Sequence, residues 1–161
     1  MRYLITVSYD GTEFSGYQKQ PKMRTVQGEI EKALKEISGG KKIDIHASGR
    51  TDAGVHAMAQ KIHFDLDMNI TLEKLAKGLN SLLPKDIFVR KVEEVSSDFH
   101  ARFSAIGKEY IYILRKEKLD ESLRRKQQTC NCRWNIDIMV RTMGRKFLPC
   151  AHDQRGTDGC T

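Results

Sequence analysis

The chain has 161 residues, 39% of them hydrophobic and 30% charged, which is enough for one ordinary domain with its own core. No apolar run approaches the roughly 20 residues needed to span a bilayer, and the opening Met1–Tyr9 stretch is too short and polar for a secretory signal, so a cytoplasmic protein with no membrane partner is expected. The formal net charge of +7 favours polyanionic partners, nucleic acid first, through phosphate neutralisation and counterion release.

Tyr3, Ile5, Val7 and Tyr9 alternate with Arg2, Leu4, Thr6 and Ser8, a period of two that predicts a strand over residues 2–9. Asp10-Gly11-Thr12 ends it with turn chemistry, and a polar loop runs from Glu13 to Arg24. Lys19, Lys22 and Arg24 of that loop are candidate phosphate contacts, with a solvated loop as the alternative. Thr25 is placed to cap a helix whose apolar positions are Val26, Ile30, Ala33, Leu34 and Ile37, and Ser38-Gly39-Gly40 stops it. Lys42 to Ala47 reads as a short strand, Ser48 to Ala57 as a glycine-punctuated loop, and Met58 to Leu66 as a strand. Thr71 opens a second helix with Leu72, Leu75, Ala76, Leu79 and Leu82-Leu83 on one face, and Pro84 ends it. Strands follow over Ile87–Val95 and Ser104–Leu114. The order β-α-β-β-α-β-β predicts an α+β, ferredoxin-like or RRM-like split βαβ domain, with an antiparallel sheet and two helices. Such folds host many activities, so architecture alone selects none.

From about Glu117 the character changes. Residues 1–119 hold 14 Lys and 6 Arg, whereas residues 120–161 hold 2 Lys and 6 Arg. All four cysteines (Cys130, Cys132, Cys150, Cys160) fall in the last 32 residues, and Trp134 is the only tryptophan. An irregular tail is expected there. Cys130-x-Cys132 and Cys150-x-His152 offer a four-ligand set, but their one-residue gaps are shorter than the spacing structural zinc prefers, so no metal is expected.

The segment that carries chemistry is Ser48-Gly49-Arg50-Thr51-Asp52-Ala53-Gly54-Val55-His56-Ala57. A carboxylate stands two residues from a guanidinium, between glycines that let the backbone bend. Two readings follow from the residues alone: a surface turn with an Asp-Arg pair, which is common, or an oriented carboxylate that Arg50 keeps ionised for nucleophilic or basic work.

Five blocks, in order, resemble the bacterial tRNA pseudouridine synthase A family. They are the opening Tyr9-Asp10-Gly11-Thr12-Glu13-Phe14-Ser15-Gly16-Tyr17-Gln18-Lys19-Gln20, the helix start Thr25-Val26-Gln27-Gly28-Glu29-Ile30-Glu31, and Gly49-Arg50-Thr51-Asp52-Ala53-Gly54-Val55-His56-Ala57. Phe99-His100-Ala101-Arg102-Phe103-Ser104-Ala105 and Lys108-Glu109-Tyr110-Ile111-Tyr112 complete the set. The resemblance covers residues 1–116. It implies isomerisation of uridine to pseudouridine at positions 38–40 of the tRNA anticodon stem-loop, with neither cofactor nor metal. It implies Asp52 as nucleophile, Arg50 as its orienting partner, and Tyr110 stacked on a uracil flipped from its helix. His56 becomes a hydrogen-bonding motif residue, and Arg102 an RNA contact or a brace. Homodimers are usual in that family. Its members also carry a second domain of related fold, so residues 117–161 are expected to replace that domain, as after an internal deletion with a shifted frame. A chain so altered is weakly active or inactive, and a non-catalytic RNA-binding remnant is the alternative.

Overall fold

The computed structural model describes the backbone of residues 1–115 and 135–144, and side chains as far as residue 112. The four cysteines, His152 and Trp134 lie outside the described residues. The elements are β1 (Arg2–Tyr9), α1 (Val26–Ile37), β2 (Ile45–Ala47), β3 (His56–Asp65), α2 (Leu72–Leu82), β4 (Ile87–Val95), β5 (Ala105–Arg115) and β6 (Asn135–Gly144).

Both helices start where a threonine can cap them. The Thr25 hydroxyl accepts the Gly28 amide at 3.3 Å and the Thr71 hydroxyl accepts the Lys74 amide at 3.4 Å, contacts worth about 1 kcal/mol each. Ser38 ends α1, and Gly39 and Gly40 follow at positive φ. The strand read over residues 42–47 is shorter than expected, Ile45–Ala47, because Lys41, Lys42 and Asp44 sit in water with no ladder partner for their backbone.

The strands order as β4-β1-β3-β6-β5, with β2 also on β3. β1 is antiparallel to β4 and β3, and β2 is antiparallel to β3. The portion β4-β1-β3-β2 is therefore the expected split βαβ arrangement: α1 carries the chain from β1 over β3 to β2, and α2 carries it from β3 over β1 to β4. The outer edge of β3 is shared. β2 takes Ile62–Phe64, while β6 takes His56–Ala59 in parallel, so this one pairing departs from an antiparallel sheet. β5 then pairs β6 antiparallel.

Strand β6 lies inside the stretch read as irregular. Ile136, Ile138 and Val140 alternate there with Asp137, Met139 and Arg141. That period-two, β-branched pattern is a strand signal, which the change in composition around it obscures.

Tyr3, Ile5, Val7, Ile62 and Phe64 of the sheet form one core with Val26, Ile30 and Leu34 of α1 and Leu75 and Leu79 of α2. Leu72 and Leu82, assigned to the apolar face of α2, are exposed at its ends. Edge strand β4 is fastened to α2 by Asn80, whose side chain donates to the Val89 carbonyl at 3.0 Å and accepts the Val89 amide at 2.7 Å. That satisfies both backbone groups an edge would otherwise leave open.

On the other face Leu4 and Thr6 are also buried: residues 96–104 are fastened beside Leu4 through Arg2 and His63, and the Lys61 ammonium donates to the Thr6 hydroxyl at 2.7 Å. Arg2 binds Asp65 through two nitrogens at 2.8 and 2.7 Å and also donates to the Ser97 and Phe99 carbonyls. The Ala101 amide donates to His63 Nδ1 at 3.1 Å. His63 stacks on His46 at 5.0 Å and meets His100 edge-on at 4.6 Å. A ring that accepts at Nδ1 must be neutral there. Burial pushes the His63 pKa down to about 4, with His100 and His46 adding to the effect, and burial lowers His100 as well.

Between pH 6.5 and about 4 the unfolded chain therefore binds more protons than the folded one, and stability must fall as pH drops through that window. The loss, discounted for solvent screening, is on the order of 1–3 kcal/mol. Urea midpoints measured across that range should decline toward acid. His63→Asn, which keeps an acceptor and removes the titration, should flatten the decline.

Candidate active site

Residues 48–55 leave β2 and return to β3 as a short loop anchored at both ends. The Ser48 amide continues the ladder to the Lys61 carbonyl at 2.8 Å, and the buried Gln60 side chain donates to the Gly49 carbonyl. The Val55 amide donates to the Asp52 carbonyl at 3.2 Å, closing a turn in which Gly54 takes φ 79°. Asp52 is thereby the first residue of a tight turn, with its carboxylate exposed at the loop tip.

The turn is held from outside by residues 9–17. The Tyr9 hydroxyl and the Thr51 hydroxyl lie 2.8 Å apart in a buried contact. Burial raises the Tyr9 pKa to about 12, with Thr51 opposing the rise, so the phenol keeps its proton to donate. The Tyr17 amide donates to the Thr51 carbonyl at 2.9 Å, and the Gly54 amide reaches the Phe14 carbonyl at 3.4 Å. Two glycines make the approach possible. A Cβ on Gly11 would stand 2.1 Å from the Val55 carbonyl oxygen, and one on Gly16, at φ 92°, would stand 2.9 Å from the Thr51 oxygen. Neither space admits a side chain. Tyr9, Thr51 and Gln60 thus brace the loop that carries Asp52, yet in the sequence they read only as strand or motif residues. The signal that could have found them is the repeated glycine, in Gly11 and Gly16 as well as in the Asp52 loop.

His56 follows the turn. Its Nδ1 lies 3.2 Å from the Gly11 amide and 3.1 Å from Asp10 Oδ1. One nitrogen meets only one of these at a time: bare, it accepts from Gly11; protonated, it donates to Asp10. Asp10 is held ionised chiefly by the Thr12 hydroxyl at 2.6 Å.

The sheet brings the Lys108-Glu109-Tyr110 block to this loop. Tyr110 pairs Val140, and Val140 pairs Ala57, so Tyr110 lies two strand spacings, roughly 10 Å, from the residue after His56. Lys108, on the same face of β5, packs its ammonium against Gly49, where a Cβ would come within 3.0 Å of Nζ. Tyr110 is 54% exposed and Tyr112 is 61% exposed, so neither fills the core.

The other predicted residues fall into two groups. Arg50 is exposed and makes no ion pair with Asp52 among the described residues. Lys22 and Arg102 are exposed as well. Lys19 and Arg24 are engaged within the chain. Lys19 meets Glu31 at 2.7 Å. Arg24 grips Asp86 through two nitrogens at 2.7 and 2.9 Å and lies 4.1 Å over the Phe14 ring. Arg24 therefore ties the loop after β1 to the start of β4. Among the described residues no cluster of three or more His, Cys, Asp or Glu could hold a metal ion. What the arrangement offers is an exposed carboxylate on a braced turn, a cation near its base and an aromatic ring two strand spacings away.

Gly11→Ala should cost on the order of 2–4 kcal/mol, since backbone cannot yield as a side chain does. Tyr9→Phe should cost about 1 kcal/mol, the net value of one buried hydrogen bond. Urea unfolding of the two variants beside the parent chain measures both.

Comparison with known proteins shows the family. The family model described as tRNA pseudouridine synthase matches residues 5–104. A tRNA pseudouridine synthase A of Listeria monocytogenes serotype 4a is 47% identical over 152 residues, 94% of this chain and 61% of the relative. Its counterpart in Listeria innocua is 54% identical over 118 residues, 73% of this chain and 48% of the relative. That of Streptococcus mutans is 45% identical over 156 residues, 97% of this chain and 62% of the relative. A match over 97% of the chain cannot stop at residue 116, so the likeness runs past the last recognisable motif block and into β6. The chain spans about 61% of the length of such relatives. The matched residues 5–104 hold the Asp52 turn and the residues 9–17 that brace it, and the chain belongs to the tRNA pseudouridine synthase family.

Proposed function

We propose that this chain bears the nucleophile of an enzyme that isomerises uridine to pseudouridine in tRNA, at positions 38–40 of the anticodon stem-loop. The observation that carries the reading is the braced, exposed Asp52 within the region matched by the family. In the reaction the N1–C1′ bond of uridine breaks and a C5–C1′ bond forms. The C5 proton leaves to solvent and N1 gains one, so no redox partner or group donor is needed. A carboxylate suits this chemistry because it can add covalently or stabilise an oxocarbenium-like sugar. Tyr110 is proposed to stack on the flipped uracil, and Arg50 to face Asp52 once RNA is bound. Lys22 and Arg102, exposed on the surface, are the better phosphate contacts. Lys19 and Arg24 would have to release Glu31 and Asp86 first. Residues 1–116 act in this proposal as the nucleophile-bearing domain, working as a homodimer in the cytoplasm.

The exposure of Asp52 and Tyr110 also supports the second reading, an RNA-binding remnant with little turnover. Catalysis depends on positioning and on excluding water, and a uridine resting on these two groups alone stays solvated. Tritium release from tRNA carrying uridine labelled at C5 is expected to be at least ~100-fold slower for this chain than for a relative of full length. Asp52→Asn should abolish what release there is and leave tRNA affinity unchanged. Release that survives Asp52→Asn contradicts the assignment of the nucleophile.

A further inference from the structure

The sheet face opposite the helices is covered by residues 96–104 at one end and open at the other. At the open end Phe88 of β4 is 56% exposed and Met58 of β3 is 41% exposed. Phe88 pairs Ser8 of β1, and Met58 lies in the strand on the far side of β1, so the two flank a shallow concavity of about 360 Å³. That volume lies near the lower end of small-molecule sites, roughly 300–1,000 Å³.

The charges around it are unevenly committed. Two carboxylates border the concavity, and both are engaged: Asp86 by Arg24, and Asp10 by Thr12. Two cations border it as well. Lys85 and Arg90 are exposed, and neither has an ion pair among the described residues. Arg90 reaches across β1 and donates to the Met58 carbonyl at 3.2 Å, which holds its guanidinium over the concavity. An aromatic face beside two cations with no ion pair among the described residues fits a nucleotide, whose base needs stacking and whose phosphates need charge. A purely apolar partner would leave both cations unused. The concavity is also continuous with the Asp52 loop, because His56 is part of its lining.

We propose that the open end of this sheet face is a nucleotide-binding subsite, in which Phe88 stacks on an unpaired base of RNA while Lys85 and Arg90 hold its phosphates. The inference rests on the proposed function, since it makes this nucleotide a neighbour of the reacting uridine.

The test is a fluorescence-anisotropy titration of the 161-residue chain with an anticodon stem-loop RNA at several salt concentrations. Phe88→Ala should weaken binding about 5- to 150-fold, and Phe88→Tyr should keep it. Lys85→Gln should lower the slope of log K against log salt by about one phosphate contact. Both side chains are exposed, so thermal melts should match the parent, and Phe88→Leu serves if Phe88→Ala does not fold. Parent-like affinity in Phe88→Ala overturns the subsite and leaves the isomerase reading intact. A change in oligomeric mass with unchanged RNA affinity also overturns it, because a second copy then covers the face. A parent chain that binds no RNA overturns both.

Discussion

The contact between residues 9–17 and residues 48–56 is the constraint on which the rest depends. A flexible loop bearing an aspartate is not a catalyst, because turnover requires the reacting atom to be held near its target. Here the Asp52 turn cannot move outward without breaking the Tyr9–Thr51 hydroxyl contact and the Tyr17 amide bond to the Thr51 carbonyl. It cannot move inward because the Gly11 backbone already fills that space against Val55. The loop is thus fixed by strand β1, the best-buried strand of the core, and inherits the stability of the whole sheet.

A second, weaker system serves the same end. Arg2, His63 and the ring stack of His46 and His100 fasten residues 96–104 over one end of the open sheet face. This fixes the start of β5, and through β5 and β6 it sets where Lys108 and Tyr110 arrive beside the Asp52 loop. The cost is a histidine that must remain neutral, so the fold trades acid tolerance for a bridged sheet face. The other end of that face stays bare, with Phe88 and two cations that have no ion pair among the described residues.

Much of this is legible in the sequence, for physical reasons. Local chemistry fixes β1, β4 and both helices, because alternation, threonine caps and Pro84 act on neighbours in the chain. Asp52 and Tyr110 are legible only through the ordered blocks around them; composition alone leaves a surface turn and a strand aromatic. Contacts between distant segments are not legible. Nothing local marks Tyr9 as the partner of Thr51, or Arg24 as the partner of Asp86, so Arg24 reads as a phosphate contact although it ties two loops together. Strand β6 shows the converse error. Its alternating pattern is present, but the shift in Lys and Arg usage and the cysteines around it outweigh so short a run of periodicity.

The central claim is that the Tyr9–Thr51 contact is one unit locking the Asp52 turn to the core. A double-mutant cycle on Tyr9→Phe and Thr51→Val, read by urea unfolding of the intact chain, tests it most directly. The account predicts that the double variant loses scarcely more stability than either single one, with a coupling of about 1 kcal/mol. Losses that add, to within about 0.3 kcal/mol, would contradict it, because the two hydroxyls would then act independently and something else would hold the turn.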